Sequence, residues 1–367
     1  MVCNDSEEAL MNHQIDQLLR YDKQQNAQYI RIVVCGTGDS GKTTLIRQLR
    51  IIHMNFTDTE RRDHIPNIIH NIIYYCYATM IHMCENGVFD DEIDFMRMYS
   101  SDDSDDKNCV AGINTLFKTA MSCIHYKFPR PLLDMTTQMV KSPILRSYIR
   151  ANANVLLVPD GLESLLNNFN TIIQPEYTPS DNDILRCKYV TTGIQPPAKF
   201  FANGTPFLIY DVGGQRLERK TWSPLYDGVS CVIYVVALTD YNQMLAEDKQ
   251  KNRLIESIEV FQYVRKDPRL AGKPIILFLN KCDLFISSIK TTPLTVCFPD
   301  CPANVAGDCH LATNYIKDKL WDGKKRDIDV THVTHATDKE NVKVVFDAVR
   351  TFCIQRDLIA NGLAKPV

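Results

Sequence analysis

The stretch Gly36-Thr37-Gly38-Asp39-Ser40-Gly41-Lys42-Thr43 limits what this chain can fold into more than any other. It fits G-x-x-x-x-G-K-[ST]. Before it runs YIRIVVCG (29–36), β-branched and strand-like; after it runs TLIRQLRIIHM (44–54), with helical periodicity. A strand, a tight turn and a helix in that order bring backbone N–H groups to the positive end of a helix, which suits a phosphate. Gly36 and Gly41 permit the turn, Asp39, Ser40 and Thr44 complete the candidate phosphate-binding set, Lys42 can reach terminal phosphates, and the Thr43 hydroxyl can ligate Mg²⁺. The motif implies a nucleoside triphosphate and leaves base and reaction open.

The pattern changes after the first helix. From about residue 55 to 179 the runs IPNIIHNIIYYCYATMIHM, VAGINTLFKTAM, LRSYIRANANVLLV and GLESLLNNFNTII are helix-like, with SSDDSDD (100–106) as a solvated loop. Beyond Lys199 strand-like runs return: PFLIYDV, CVIYVVAL, PIILFLN and DVTHVTHA. Helical EDKQKNRLIESIEVFQYVRK and NVKVVFDAVRTFCIQRDLI lie among them. The alternation predicts an α/β fold, a mostly parallel sheet with helices on both faces, interrupted by an all-helical insertion. Asp5 and Glu8 form a capping-box pattern ahead of a polar segment, either a frayed terminal helix or a partner-binding one.

Three further motifs fall at strand ends, where an open α/β sheet keeps its ligands. In DVGGQ (211–215), Asp211 can hold Mg²⁺ through water, Gly214 can offer its N–H to a terminal phosphate, and the Gln215 amide can orient an attacking water. In NKCD (280–283), Asp283 can accept from the ring N–H and exocyclic amine of guanine, a pairing adenine does not offer. Asn280 can fix the loop or the purine N7, and Lys281 can lay its stem across the ring. In HATD (335–338), the Ala336 N–H can meet the guanine carbonyl oxygen, with Thr337 beside it. Order and placement assign phosphate, metal, water and base to one crevice.

Composition excludes other classes. A net charge of -3 argues against a nucleic-acid binder. Thirteen scattered cysteines without a secretory signal read as reduced intracellular thiols. No apolar run reaches bilayer length, so membrane contact is expected to be peripheral or through a lipid. CFPDCPANVAGDCH (297–310) gathers three cysteines and a histidine at spacings that match no standard zinc site.

Together these motifs resemble the alpha subunit of heterotrimeric G proteins: GTGDSGKTTLIRQLRIIH, DILRCKYVTTGI, DVGGQRLERKTW, LAEDKQKNR, FLNKCDLF and ATDKENVKVVFDAV. The resemblance implies a Ras-like P-loop GTPase domain over 29–54 and 184–367, an inserted helical domain over 55–183, and an N-terminal helix over 1–28 for contact with the beta-gamma dimer. It implies GTP and GDP as ligands, Mg²⁺ as cofactor, and partners comprising that dimer, a seven-helix G protein-coupled receptor, an effector and a GTPase-accelerating regulator. The expected location is the cytoplasmic face of the plasma membrane, held there by a lipid anchor and by the partner. Thr191 would be the second hydroxyl ligand of Mg²⁺ in a switch loop where Leu185 and Arg186 stand as nucleotide or loop contacts. Gln215 would position water, Arg219 would pair with Glu256 in the active state, and Trp222 would lie on the effector-facing side.

The departures from the family are specific. The family reads L-R-x-R, its second arginine being the built-in finger; here Leu185-Arg186-Cys187-Lys188 places Lys188 there. Lysine keeps the charge and loses the planar fork. The glutamate that pairs with the finger is replaced by Asp39, so an Asp39–Lys188 pair is expected to be looser or water-bridged. Hydrolysis is therefore expected to be slow. Val2 excludes myristoylation, leaving Cys3 as a palmitoylation candidate. Asn361 stands where some members carry the pertussis-toxin cysteine, Lys365-Pro366-Val367 run beyond the usual end, and His335 replaces the cysteine of TCAT.

Overall fold

The computed structural model describes residues 29–88, 128–153, 155–189, 195–245 and 248–360. Residues 1–28 with Cys3, the VAGINTLFKTAM run, Thr191 and Asn361 lie outside them. The chain divides into two compact units, one with described residues from 29–54, 195–244 and 250–360, the other from 55–189 with 245, 248 and 249.

The first unit is built on a six-stranded sheet in the order β2-β3-β1-β4-β5-β6. The strands are β1 (Ile30–Cys35), β2 (Ala198–Ala202), β3 (Thr205–Asp211), β4 (Cys231–Ala237), β5 (Ile275–Asn280) and β6 (Val330–Val333). Only β2 runs antiparallel, along β3; every other pairing is parallel. Burial on both faces explains the unbroken apolar run of β4 and, apart from Arg31, that of β1. Ile32 and Val34 of β1, with Ile233 and Val235 of β4, pack on helices Lys42–His53 and Lys339–Ala360 through Leu45, Leu49, Val345 and Phe346. Val33, Val232 and Tyr234 point the other way, onto Leu254 and Phe261 of helix Arg253–Arg265 and Ile316 and Leu320 of helix Cys309–Trp321.

Strand β2 is missing from the run-based reading, yet the hairpin has a signal: Asn203-Gly204, with φ of 47° and 79°, lies between AKFFA and TPFLIYD. The helix expected from residue 247 begins at Arg253, because the Asn252 side chain caps it by accepting from the N–H groups of Leu254 and Ile255.

The second unit packs around helix Ile65–Glu85, whose Ile68, Ile72, Cys76 and Met80 are buried against Met135 and Met139 of helix Arg130–Lys141, Leu145 and Ile149 of helix Pro143–Ala151, and Leu165 and Phe169. The helix expected over 145–158 stops at Ala151, with the backbone N–H and the side-chain amide of Asn152 both donating to the Tyr148 carbonyl at 3.0 Å. GLESLLNNFNTII forms two short helices, Leu162–Asn167 and Phe169–Ile172, broken at Asn168. A capping box between Ser180 and Asp183 starts helix Asp181–Arg186.

Candidate functional site

The loop after β1 is shaped around an anion. Helix Lys42–His53 starts at Gly41, in the left-handed region at φ 100°, with no capping side chain. Helices Asp58–Arg62, Asp181–Arg186 and Arg253–Arg265 all have one. The first turn of this helix therefore keeps its N–H groups for a ligand. A Cβ on Gly41 would sit 2.2 Å from Asn280 Nδ2, so glycine is required by space as well as by φ. Ser40 is buried and its Oγ has no hydrogen-bond partner among the described residues.

Lys42 curls back over the loop, its Nζ donating to the carbonyls of Gly36 at 3.0 Å and Thr37 at 2.7 Å. Burial pushes its pKa down, and the Asp211 charge opposes the shift. A buried ammonium held by two neutral carbonyls is short of negative charge, which a phosphate supplies. Thr44 lies half-buried in the same first turn.

At the end of β3 the Asp211 Oδ2 accepts from Thr43 Oγ1 at 2.7 Å. A hydroxyl beside a carboxylate is a hard-oxygen pair of the kind Mg²⁺ takes, so the donors fit that ion. Gly214 passes so close to the loop that a Cβ would lie 2.5 Å from Lys42 Nζ and 2.6 Å from the Gly36 carbonyl oxygen. Gln215 is exposed. Behind it, Arg219 Nη1 meets Glu256 Oε1 at 2.5 Å, a pairing that the family resemblance implies for the active state. Arg216 shares the same carboxylate at 3.1 Å, a partner the sequence reading missed. Burial raises the Glu256 pKa, but the hydrogen bonds and charges of both arginines outweigh it and hold the group down at about 2. Trp222 differs from expectation. It is 2% exposed, with its indole N–H on the Gly213 carbonyl at 2.8 Å, and so is a core side chain under the segment rather than a surface contact.

Loops after β5 and β6 close the site on one side. Asn280 is 2% exposed and bridges three segments. Its Nδ2 donates to the Ser40 carbonyl at 2.9 Å, and its Oδ1 accepts from Thr334 Oγ1 at 3.2 Å and from the Ala336 N–H at 3.1 Å. Of the two roles open to Asn280, the loop-fixing one is visible. The Ala336 N–H expected to face a base carbonyl is bonded to Asn280 in this structure. Lys281 is left-handed at φ 61° as it enters helix Cys282–Ser288, whose first turn carries Asp283.

The residues expected to meet phosphate, metal and base thus stand at the C-terminal ends of β1, β3, β5 and β6 of one sheet. The model of the G-protein alpha subunit family matches residues 10–353. The chain belongs to that family. It is accordingly a guanine nucleotide-binding alpha subunit, in a family of GTPases that associate peripherally with membranes. Among the described residues no helix is long and apolar enough to cross a membrane. Nor does any group of three His, Cys, Asp or Glu side chains among them form a metal site; Cys297 instead donates to Asn252 Oδ1 at 3.3 Å.

Two features of this alpha subunit escaped the sequence reading. Arg253 Nη2 donates to the Gly38 carbonyl at 2.8 Å, its Nε lies 3.2 Å from Asp240, and its Nη1 lies 3.8 Å from Asp39. Asp39 therefore has an arginine neighbour on its own unit. In the helical unit, Asn71 holds the main chain of Lys188 from both sides. Its Oδ1 accepts from the Lys188 N–H at 3.0 Å and its Nδ2 donates to the Lys188 carbonyl at 2.9 Å. Asn67 reaches the same carbonyl at 3.3 Å. Leu185 is buried, while Arg186 is exposed and bonded through Nε to Asn182 at 2.7 Å, a loop-anchoring contact.

Proposed function

We propose that this alpha subunit is a GTP/GDP switch that couples a seven-helix receptor and a beta-gamma dimer to an effector, and that it hydrolyses GTP slowly. The observation that carries the rate is residue 188. Asn71 holds its backbone by hydrogen bonds to both the N–H and the carbonyl, but its side chain is lysine. Arginine fingers, for which this family is itself a standard case, contribute roughly 10³–10⁵ in rate. An ammonium keeps the charge and contacts one oxygen at a time.

In the proposed reaction a water attacks the γ-phosphorus in line with the bond to the β,γ-bridging oxygen, giving GDP and phosphate. The Gln215 amide orients that water. Lys42 and the Gly214 N–H stabilise the charge on the γ-oxygens, and the Lys188 ammonium adds to them. Mg²⁺ held by Thr43 and Thr191, and through water by Asp211, would supply charge neutralisation of the phosphates. Asp283 selects guanine, with Lys281, Ala336 and Thr337 around the base. We place the protein at the cytoplasmic face of the plasma membrane, through palmitoylated Cys3 and the lipidated dimer, since one acyl chain gives only marginal binding.

A second reading is a module that holds GTP or the beta-gamma dimer with negligible turnover, favoured by Lys188 together with Asp39. Single-turnover hydrolysis separates the two. The wild type is expected to turn over measurably and Lys188→Arg to be at least about tenfold faster. No acceleration in the variant counts against the finger assignment, and no hydrolysis by the wild type even with a GTPase-accelerating regulator favours the binding module.

A further inference from the structure

The base-reading corner of this chain holds a histidine where its family keeps a cysteine. His335 Nε2 lies 3.1 Å from Asp283 Oδ2 and 2.8 Å from Thr337 Oγ1. A cysteine at this position ends one atom beyond Cβ in a weak donor, while the imidazole extends from the loop after β6 to the first turn of helix Cys282–Ser288. The ring has a fixed base. The His335 N–H donates to Asn341 Oδ1 at 2.9 Å, and its carbonyl accepts from the Asp338 N–H at 2.9 Å. The facing loop is tied in as well, the Cys282 N–H donating to the Thr334 carbonyl at 3.3 Å.

A bare ring nitrogen at this distance would set a lone pair against a carboxylate, so the carboxylate selects the tautomer with hydrogen on Nε2. The hydrogen bond of Nε2 runs to the Thr337 hydroxyl at 2.8 Å, and Asp283 Oδ2 lies against the same polarised nitrogen at 3.1 Å. The contact uses one acceptor site on Oδ2. Asp283 Oδ1 is buried with no hydrogen-bond partner among the described residues, and is thus available to a donor from a base. The Asp283 side chain is about one third exposed, at 34%, so packing alone leaves the carboxylate room to turn.

We propose that His335 is a positioning residue that orients the Asp283 carboxylate toward the paired N–H donors of guanine and so sharpens discrimination against purines lacking the exocyclic amine. The inference rests on the reading of Asp283 as the base-selecting group. Guanine presents a ring N–H and an amine N–H on one edge and needs both carboxylate oxygens in its plane. Hypoxanthine presents only the ring N–H and tolerates a rotated carboxylate. Loss of the tether therefore weakens guanine binding more than hypoxanthine binding.

The test is equilibrium binding of GDP and IDP to the full-length protein and its variants. In His335→Ala the ratio of IDP to GDP dissociation constants is expected to fall about 5- to 10-fold, with most of the loss on GDP. His335→Gln, whose amide still offers an N–H, is expected to recover a large part of the ratio. A ratio within twofold of wild type in His335→Ala, or equal losses for both nucleotides, overturns the proposal; retained IDP binding shows that the variant is folded. Asp283→Ala is measured alongside. If it leaves the ratio high, the base-selecting role of Asp283 is wrong and the proposal falls with it. If it collapses the ratio and His335→Ala does not, only the role of His335 is lost.

Discussion

Asn280→Ala removes the amide that joins the phosphate loop to the two base loops. Three hydrogen bonds go with it, to the Ser40 carbonyl, the Thr334 hydroxyl and the Ala336 N–H, with lengths between 2.9 and 3.2 Å. A buried polar group left without its partner costs about 1–3 kcal/mol. Water entering the space of the lost amide satisfies some of the three, so we take the low end of each, about 3 kcal/mol in total. At about 1.4 kcal/mol per factor of ten, that is roughly a 100-fold effect if all of it falls on the nucleotide-bound state. The assay is release of labelled GDP into excess unlabelled nucleotide, with an expected acceleration of about 10- to 100-fold. A release rate within threefold of wild type would refute the reasoning, because the bridge would then stabilise the bound and free forms equally.

Two further predictions concern the Glu256 pairing and residue 188. The Glu256 carboxyl is held at about 2 against an ordinary 4.5, so its contribution to stability is full above pH 4.5 and is lost as pH falls towards 2. In urea unfolding followed by Trp fluorescence, Glu256→Gln is expected to be less stable than wild type by about 1–3 kcal/mol at pH 7, and the gap to close through that window; a gap independent of pH counts against the pairing. Asn71→Ala frees the Lys188 backbone, and single-turnover GTP hydrolysis is expected to slow about 3- to 10-fold while GDP affinity is retained. In a Lys188→Ala background the same change is expected to do nothing, and an additive loss there would show that Asn71 acts on something other than the finger.

Much of the site was legible because a nucleotide loop leaves local marks. The turn before Lys42 needs glycine where a Cβ would strike Asn280, and that requirement is written within eight residues. The sheet was legible where both faces are buried, since β1, β4 and β5 then read as apolar runs. What stayed hidden depends on side chains meeting backbone across long separations. Asn71 looks like one polar residue in a helical run until folding brings Lys188 to it, 117 positions away. Arg216 carries no mark that sets it apart from Arg219 as a partner of Glu256. Trp222 was placed on an effector-facing side by resemblance alone, and its bond to the Gly213 carbonyl shows that the indole faces inward. The helix ends at Ala151 and Arg253 fall beside asparagines whose side chains bond backbone groups of the terminal turn, a local effect that periodicity does not register.

The first turn of helix Arg253–Arg265 has a further implication. Arg253 and Glu256 are three residues apart, a spacing at which opposite charges on a helix commonly neutralise each other. Here each faces outward to a different loop, the arginine to Gly38 and Asp240, the glutamate to Arg216 and Arg219. One turn of helix therefore works as a footing with two ends of opposite sign. Exchanging the two residues would preserve composition, net charge and helix propensity, yet it would set like against like at both loops at once.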